Sequence, residues 1–544
     1  MRKTIILLLV LSVIYGSVTA GKVRPTKNLI VMIPDGTSLS VLSAARWLKT
    51  YKNEGTQLAI DPYLCGTVTT FCSNAPIGDS APTTSCYMTG VPQQAGNVAI
   101  YPVADPKNDL VKLNPDSAYQ PLATILEAMK IEQKKAAGLV VTCEFPHATP
   151  ADCSSHTYNR SDYKTIASQM AYNNLDVMIG GGNDFVTADM KKHFEQSGTT
   201  FIQNDKDALM QFNGNKLWAI YEKEDVPYDI DRDSLKIPSL AQSTVKAIEV
   251  LNKNKNGFFL MVEGSKIDWA AHANDPVAII SEYLAFDKAV KAAIDFARKD
   301  KNTTVIILPD HGNSGFSIGR RDLKNYTKAS IEQLFGGVAK IKKTATGIEQ
   351  ELNKTSHDNF RNKFLELTGI ELTPEEEAAM LNVKSVKTSD YTEASKTENL
   401  TNLIIKVIQS RSYFGFTTGG HTGEEVFLAA YHPKGDIPTG NLRNTALNTY
   451  LQKVSGLKKS LKTISSEIYV KHTDVFSGMN ISVDKQADAF PLLTIKHNNK
   501  TLIIKGNSSM ATLNGNPVNI GSVAVYVDKT NNFYLPIALR KMLL

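Results

Sequence analysis

Six short apolar runs, at 27–34, 138–142, 175–179, 216–221, 257–262 and 304–308, constrain this chain more than any other feature. They lack polar alternation, so they suit strands buried on both faces, as in a parallel sheet. Helical patterns separate them, notably at 119–133, 240–254 and 275–299. Strands alternating with helices predict a three-layer α/β/α sandwich around a large, mostly parallel sheet.

The 544 residues exceed one ordinary domain. From Gly319 to about Phe414 the chain turns charged and rich in Thr, Ser and Asn, which reads as an insertion above the sheet, returning near Tyr413-Phe414-Gly415. The stretch 434–456 supplies a turn region and a last helix. Beyond about Ser465 come short β-like runs at 489–496, 501–505 and 522–527, with a turn at Asn514-Gly-Asn-Pro517. The expected organisation is a signal peptide at 1–20, a catalytic domain at 21–464 carrying the 319–414 insertion, and a small C-terminal β domain at 465–544.

The signal peptide follows from Arg2-Lys3, the apolar run after them and the small residues of Val18-Thr-Ala20. It implies export, to a periplasm or the exterior. The C-terminus is too short and basic for a removable anchor tail, so no membrane anchor is expected. The formal charge of +6 falls to +4 once Arg2 and Lys3 are set aside, too weak a bias for nucleic acid. Cys65, Cys72, Cys86, Cys143 and Cys153 show no CxxC spacing, and an odd count leaves at least one free.

The chemistry collects at strand ends. The run 257–262 leads into Glu263, and Asp268 and His272 follow at a spacing that puts both on one helix face, where they could grip a divalent cation or form a surface pair. Asp35-Gly36 ends the first run, Asp310-His311 follows the last, and His421 lies in a Gly-rich loop beyond the insertion. Each alone could be a capped turn or a satisfied histidine. Together they bring three Asp, three His and a Glu toward one sheet edge, where open α/β sheets bind ligands. Ser80, just ahead of a helix-compatible stretch, suits a phosphate at a helix N-terminus; Asp79 or Ser80 as a plain N-cap is the alternative.

In this order the motifs resemble the alkaline phosphatase family of secreted bacterial type, over roughly residues 27–435. Ile33-Pro-Asp35-Gly36 resembles its first metal strand end and Asp79-Ser80-Ala81 its phosphoserine motif. His147-Ala-Thr149-Pro-Ala151 resembles the segment with its metal-linked Thr, and Arg160 stands at the spacing of its phosphate-gripping Arg. The resemblance implies two zinc ions per chain. One would be held by Asp268, His272 and His421, the other surrounded by Asp310, His311, Asp35 and Ser80. It further implies one magnesium at Asp35, Thr149 and Glu263. Ser80 would form a phosphoseryl intermediate, and His147 and Trp269 would tune the third site and phosphate release. The implied substrates are small phosphate monoesters of broad range, with oligomeric state open, a homodimer included.

The chain departs from the family at Thr37-Ser38, in place of Met-Gly, and at Pro82-Thr-Thr-Ser85 after the nucleophile. Neither change touches an implied ligand. A phosphodiesterase or sulfatase on the same two-metal scaffold is the competing enzyme, but it would need neither a bidentate Arg160 nor the Thr149/Glu263 pair. A non-catalytic surface binder is the competing non-enzyme.

Overall fold

The computed structural model describes residues 23–383, 398–486 and 489–544. The expected signal peptide at 1–20 and residues 384–397 of the insertion lie outside them. The six apolar runs become strands β1 (Asn28–Pro34), β3 (Ala136–Glu144), β4 (Val177–Gly181), β6 (Leu217–Tyr221), β7 (Phe258–Gly264) and β8 (Thr303–Ile307), and two strands that no expected run covers, β2 (Leu64–Thr69) and β5 (Thr200–Gln203), join them. With Val426–Tyr431 and Gly440–Arg443 they form one ten-stranded sheet. Its order is Gly440–Arg443, β2, Val426–Tyr431, β8, β1, β7, β3, β4, β6, β5, and every pair from β8 to β5 is parallel.

The period-2 geometry of a strand divides each apolar run between two cores. Ile30 and Met32 of β1, with Phe258, Leu260 and Val262 of β7, join the layer of the long helix Pro276–Asp300. Leu29, Val31 and Ile33, with Phe259 and Met261, join the layer of the helix Ile125–Gln133. Two apolar faces on one sheet give the three-layer sandwich. Phe335, Ile348, Phe364 and Ile404, from the helices of the 319–414 segment, belong to the first layer, and Phe414–Gly415 pairs antiparallel with Ser317–Ile318.

Some boundaries move. The helix expected at 119–133 starts only at Ile125: Tyr119 sits at positive φ, Pro121 follows, and Thr124 with Glu127 closes a capping box. A further helix, Leu461–Ile468, follows the one at Asn444–Ser455. All five cysteines are free thiols. The C-terminal residues form a five-stranded antiparallel meander over Asn480–Asn519 and a three-stranded sheet. Two of the meander's turns are two-residue loops, Asn498-Asn499 and Asn514-Gly515, with positive φ at both positions.

A buried network ties this C-terminal part to the helix Ile125–Gln133 and the segment carrying His156. The Tyr469 hydroxyl donates to Glu127 Oε1 at 2.7 Å and lies 2.7 Å from His156 Nε2, whose ring also meets Glu127 at 3.1 Å. Tyr469→Phe should therefore lower unfolding stability by about 1–3 kcal/mol, read from denaturant midpoints at constant m, without changing turnover. A midpoint equal to wild type would mean the hydroxyl is not holding this junction.

Candidate metal and phosphate site

Register explains why the ligands converge. Ile33 of β1 pairs with Glu263 of β7, and Met32 with Ile307 of β8, so Asp35, Glu263 and Asp310 leave neighbouring strands at the same edge. The strand Val426–Tyr431 runs antiparallel to β8, so its start, and His421 just before it, reach that edge too. After β7 the helix Lys266–His272 sets Asp268 and His272 on one face, 3.4 Å apart. Gly36 is needed here twice: its φ is +59°, and a Cβ would meet Asp268 Oδ1 at 2.2 Å. Gly36→Ala should cut turnover by at least about 10²-fold and lower bound metal, checked by steady-state kinetics with metal analysis.

The three histidines are prepared alike. His272 Nδ1 faces Gly419 O at 2.7 Å, His311 Nδ1 faces Gly312 O at 3.1 Å, and His421 Nδ1 faces Gly78 O at 2.9 Å. A carbonyl only accepts, so each Nδ1 carries the hydrogen and each Nε2 turns toward the site. His272 Nε2 and His421 Nε2 then stand 3.0 Å apart, an approach that only a shared cation or proton reconciles. Asp268 lies 3.6 Å from His421 Nε2, and His311 Nε2 lies 3.4 Å from Asp310 and 3.5 Å from Asp35.

The carboxylates show the same preparation. Asp310 Oδ1 accepts from the backbone N–H groups of Gly36 and His311, both at 3.0 Å, and Asp268 Oδ1 accepts from Asn313 Nδ2 at 2.7 Å. The other oxygens, Asp310 Oδ2 and Asp268 Oδ2, together with Glu263 Oε1 and Thr149 Oγ1, have no hydrogen-bond partner among the described residues. Buried polar atoms are seldom left so, and ligation satisfies them. The residues fit divalent metal.

Electrostatics agree. Asp35, Glu263, Asp268 and Asp310 are all essentially inaccessible to solvent. Burial raises the Asp35 carboxyl well above its usual range, and Asp310, Asp268 and Glu263 add to the rise. Burial pushes Glu263 up to about 8. Burial acts the same way on Asp268, but the imidazoles of His272 and His421 outweigh it and hold that carboxyl well below its usual range. Burial and the neighbouring His311 bring His421 down to about 4, the neutral form a ligand needs. Four buried carboxyl groups crowded at one sheet edge call for added positive charge.

Ser80 opens the helix Ser80–Thr89, its Oγ 3.2 Å from His311 Nε2 and 3.4 Å from Asp35 Oδ1. Asp79 is the N-cap residue, yet its side chain makes no capping bond. It instead accepts from Arg160 Nη1 at 2.5 Å, which holds the guanidinium at the residue next to Ser80, with Nη2 3.4 Å from His147 Nε2. Burial, then Arg160, hold the His147 imidazole down to about 3. The His147 and Trp269 rings meet edge to face at 5.7 Å. Lys266, paired with Asp225, lies 5.3 Å over the Trp269 ring.

The expected residues thus come together. The split between the two zinc groups is less sharp than expected, because His311 has Asp268 and His421 within ligating range as well as Asp35 and Asp310. Three features of the site have no counterpart among the sequence expectations. Asn313, which orients Asp268, follows Asp310-His311 in the same segment; the Asp79–Arg160 pair spans 81 residues and left no local signal. Cys143 stands with His147 and Glu263 in a third ligand group, and its place at the end of β3 was the available cue.

Comparison with known proteins agrees with this geometry. The family model described as alkaline phosphatase matches residues 26–457. Alkaline phosphatase 3 of Bacillus subtilis is 36% identical over 448 residues, covering 78% of this chain and 88% of that protein. The repressible alkaline phosphatase of Saccharomyces cerevisiae is 25% identical, covering 85% and 86%. Among solved structures, the cold-active alkaline phosphatase of a Shewanella species superposes with a TM-score of 0.68 at 25% identity, covering 79% of this chain and 99% of that one.

Proposed function

We propose the following roles for these side chains on the premise that the chain belongs to the alkaline phosphatase family. It is an enzyme that hydrolyses phosphate monoesters, and the family is metal-dependent. Asp268, His272 and His421 would hold one zinc, and Asp35, Asp310 and His311 a second beside Ser80. Asp35, Thr149 and Glu263 would hold the third ion, which the family pattern gives to magnesium. Bound there, these ions neutralise a phosphate dianion and lower the pKa of oxygen nucleophiles and leaving groups.

The observation that carries the reading is Ser80 Oγ standing within 3.5 Å of both His311 and Asp35 while Arg160 is braced beside it by Asp79. Ser80 Oγ gives up its proton to solvent and attacks phosphorus as the ester oxygen departs on the opposite side and takes a proton from water, leaving a phosphoseryl group and the free alcohol. Arg160 offers two parallel N–H donors to the non-bridging oxygens, a fork that Lys cannot copy. Water then cleaves the Ser–phosphate bond and returns the hydroxyl. Only the phosphoryl group is gripped, so the alcohol part can vary widely.

Acid quenching during turnover of a labelled monoester should leave label on the peptide containing Ser80. Label on another residue, or a clear preference for a nitrophenyl diester over the monoester, would sink this assignment. No described helix is long and apolar enough to cross a membrane. Export with removal of 1–20 is proposed from the sequence and is checked by N-terminal sequencing of secreted protein. Residues 465–544 are proposed as an accessory β domain, supported by their own apolar cluster around Phe476, Leu493, Ile504 and Phe533.

A further inference from the structure

We propose that Cys143 is a sulfur ligand of the third metal site, so that this site takes a zinc-class ion in preference to magnesium; the inference rests on the metal reading above. Cys143 is the penultimate residue of β3 and is fully buried. Its Sγ lies 3.6 Å from Glu263 Oε2. One ligand atom each from Cys143, His147 and Glu263 fall within 4.8 Å of one another.

Two further atoms point to a bound ion at this place. Glu263 Oε1 and Thr149 Oγ1 are both fully buried and have no hydrogen-bond partner among the described residues. Packing alone would not leave a buried carboxylate oxygen of Glu263 unsatisfied beside the Cys143 thiol, and the unsatisfied Thr149 hydroxyl lies two residues from His147 of the same group.

The donor set decides which ion fits. Magnesium demands near-octahedral oxygen ligation at about 2.0–2.1 Å and keeps several waters. A thiolate, an imidazole and a carboxylate instead match zinc, with Zn–S of about 2.3 Å and Zn–N of about 2.0–2.1 Å, or cobalt in its place. On binding, the Sγ–H bond breaks, the sulfur–metal bond forms, and the proton passes to solvent. Cys153, also buried, instead directs its Sγ to Thr149 O at 3.8 Å and serves as a control thiol.

The test uses the full chain, stripped of metal and reloaded with cobalt(II). Wild type should develop a near-ultraviolet thiolate-to-cobalt charge-transfer band as the third equivalent binds. Cys153→Ser should keep that band and Cys143→Ser should lose it. Dialysis against mixed zinc and magnesium should leave three zinc ions per wild-type chain and two, plus one magnesium, in Cys143→Ser. Even if a variant fails to fold, a wild-type spectrum without the charge-transfer band overturns the sulfur ligand. Visible cobalt d–d bands from the histidine sites with no charge-transfer band, or a band lost in Cys153→Ser, overturns the sulfur ligand and leaves the zinc pair standing. Neither kind of band overturns both.

Discussion

Ser80→Ala lowers turnover of a phosphate monoester by about 10⁴-fold or more, while zinc content stays at the wild-type level. The size follows from what is removed: the atom that forms the covalent bond, 3.2 Å from His311. The preserved metal follows from the other ligands. Asp310, Asp268 and the three histidines are each fixed by a hydrogen bond that does not involve Ser80. A variant within tenfold of wild type would reject Ser80 as nucleophile. A variant with neither activity nor zinc would make Ser80 a structural ligand first. Both quantities belong on the same preparation.

Chelation produces the second large effect. Turnover is lost, and the midpoint of thermal unfolding falls by about 10 °C or more, because binding to the folded chain alone is folding free energy. The fall should depend on pH in a defined direction. Burial raises the carboxyls of Asp35 and Glu263 above their ordinary values, Glu263 from 4.5 to about 8. Between those values the folded metal-free chain keeps a proton that the unfolded chain has released. The stability these two carboxyls contribute to the chelated protein therefore declines from about 4.5 through about 8; below about 6.5 the depressed His147 and His421 imidazoles act in the opposite direction, so the net decline falls between about 6.5 and about 8. Bound metal keeps the same groups ionised and removes that penalty, so the gap between loaded and chelated protein widens toward alkaline pH. Midpoints measured on both forms across this range check it. A gap that stays constant with pH would mean these carboxyls are not the ligands.

Much of the site was legible because strand ends are legible. A buried parallel strand must be a short apolar run, and the first polar residues after it, Asp35, Glu263 and Asp310-His311, must emerge at the edge where ligands bind. The i, i+4 spacing of Asp268 and His272 needed only a helix, and Lys266–His272 is one. The start of the helix at Ile125 was missed because apolar periodicity extends across Tyr119 and Pro121, whereas the cap at Thr124 sets the boundary. The Asp79–Arg160 pair left no trace in local sequence. Asp79 and Arg160 each stand in a segment that resembles the family's, yet nothing along the chain joins them until the fold sets them 2.5 Å apart.

Sequence alone determined the α/β class, the edge of the sheet that carries chemistry, and the residue types available there, since periodicity and strand-end position are properties of local chain geometry. Folding in three dimensions assigned the partners. It turned each Nδ1 to a carbonyl and each Nε2 inward, let His311 face two ligand groups, and set Cys143 beside Glu263, 120 residues away. Ligand geometry is a matter of ångströms between atoms on different strands, and register and packing fix those distances. No spacing along the chain encodes them.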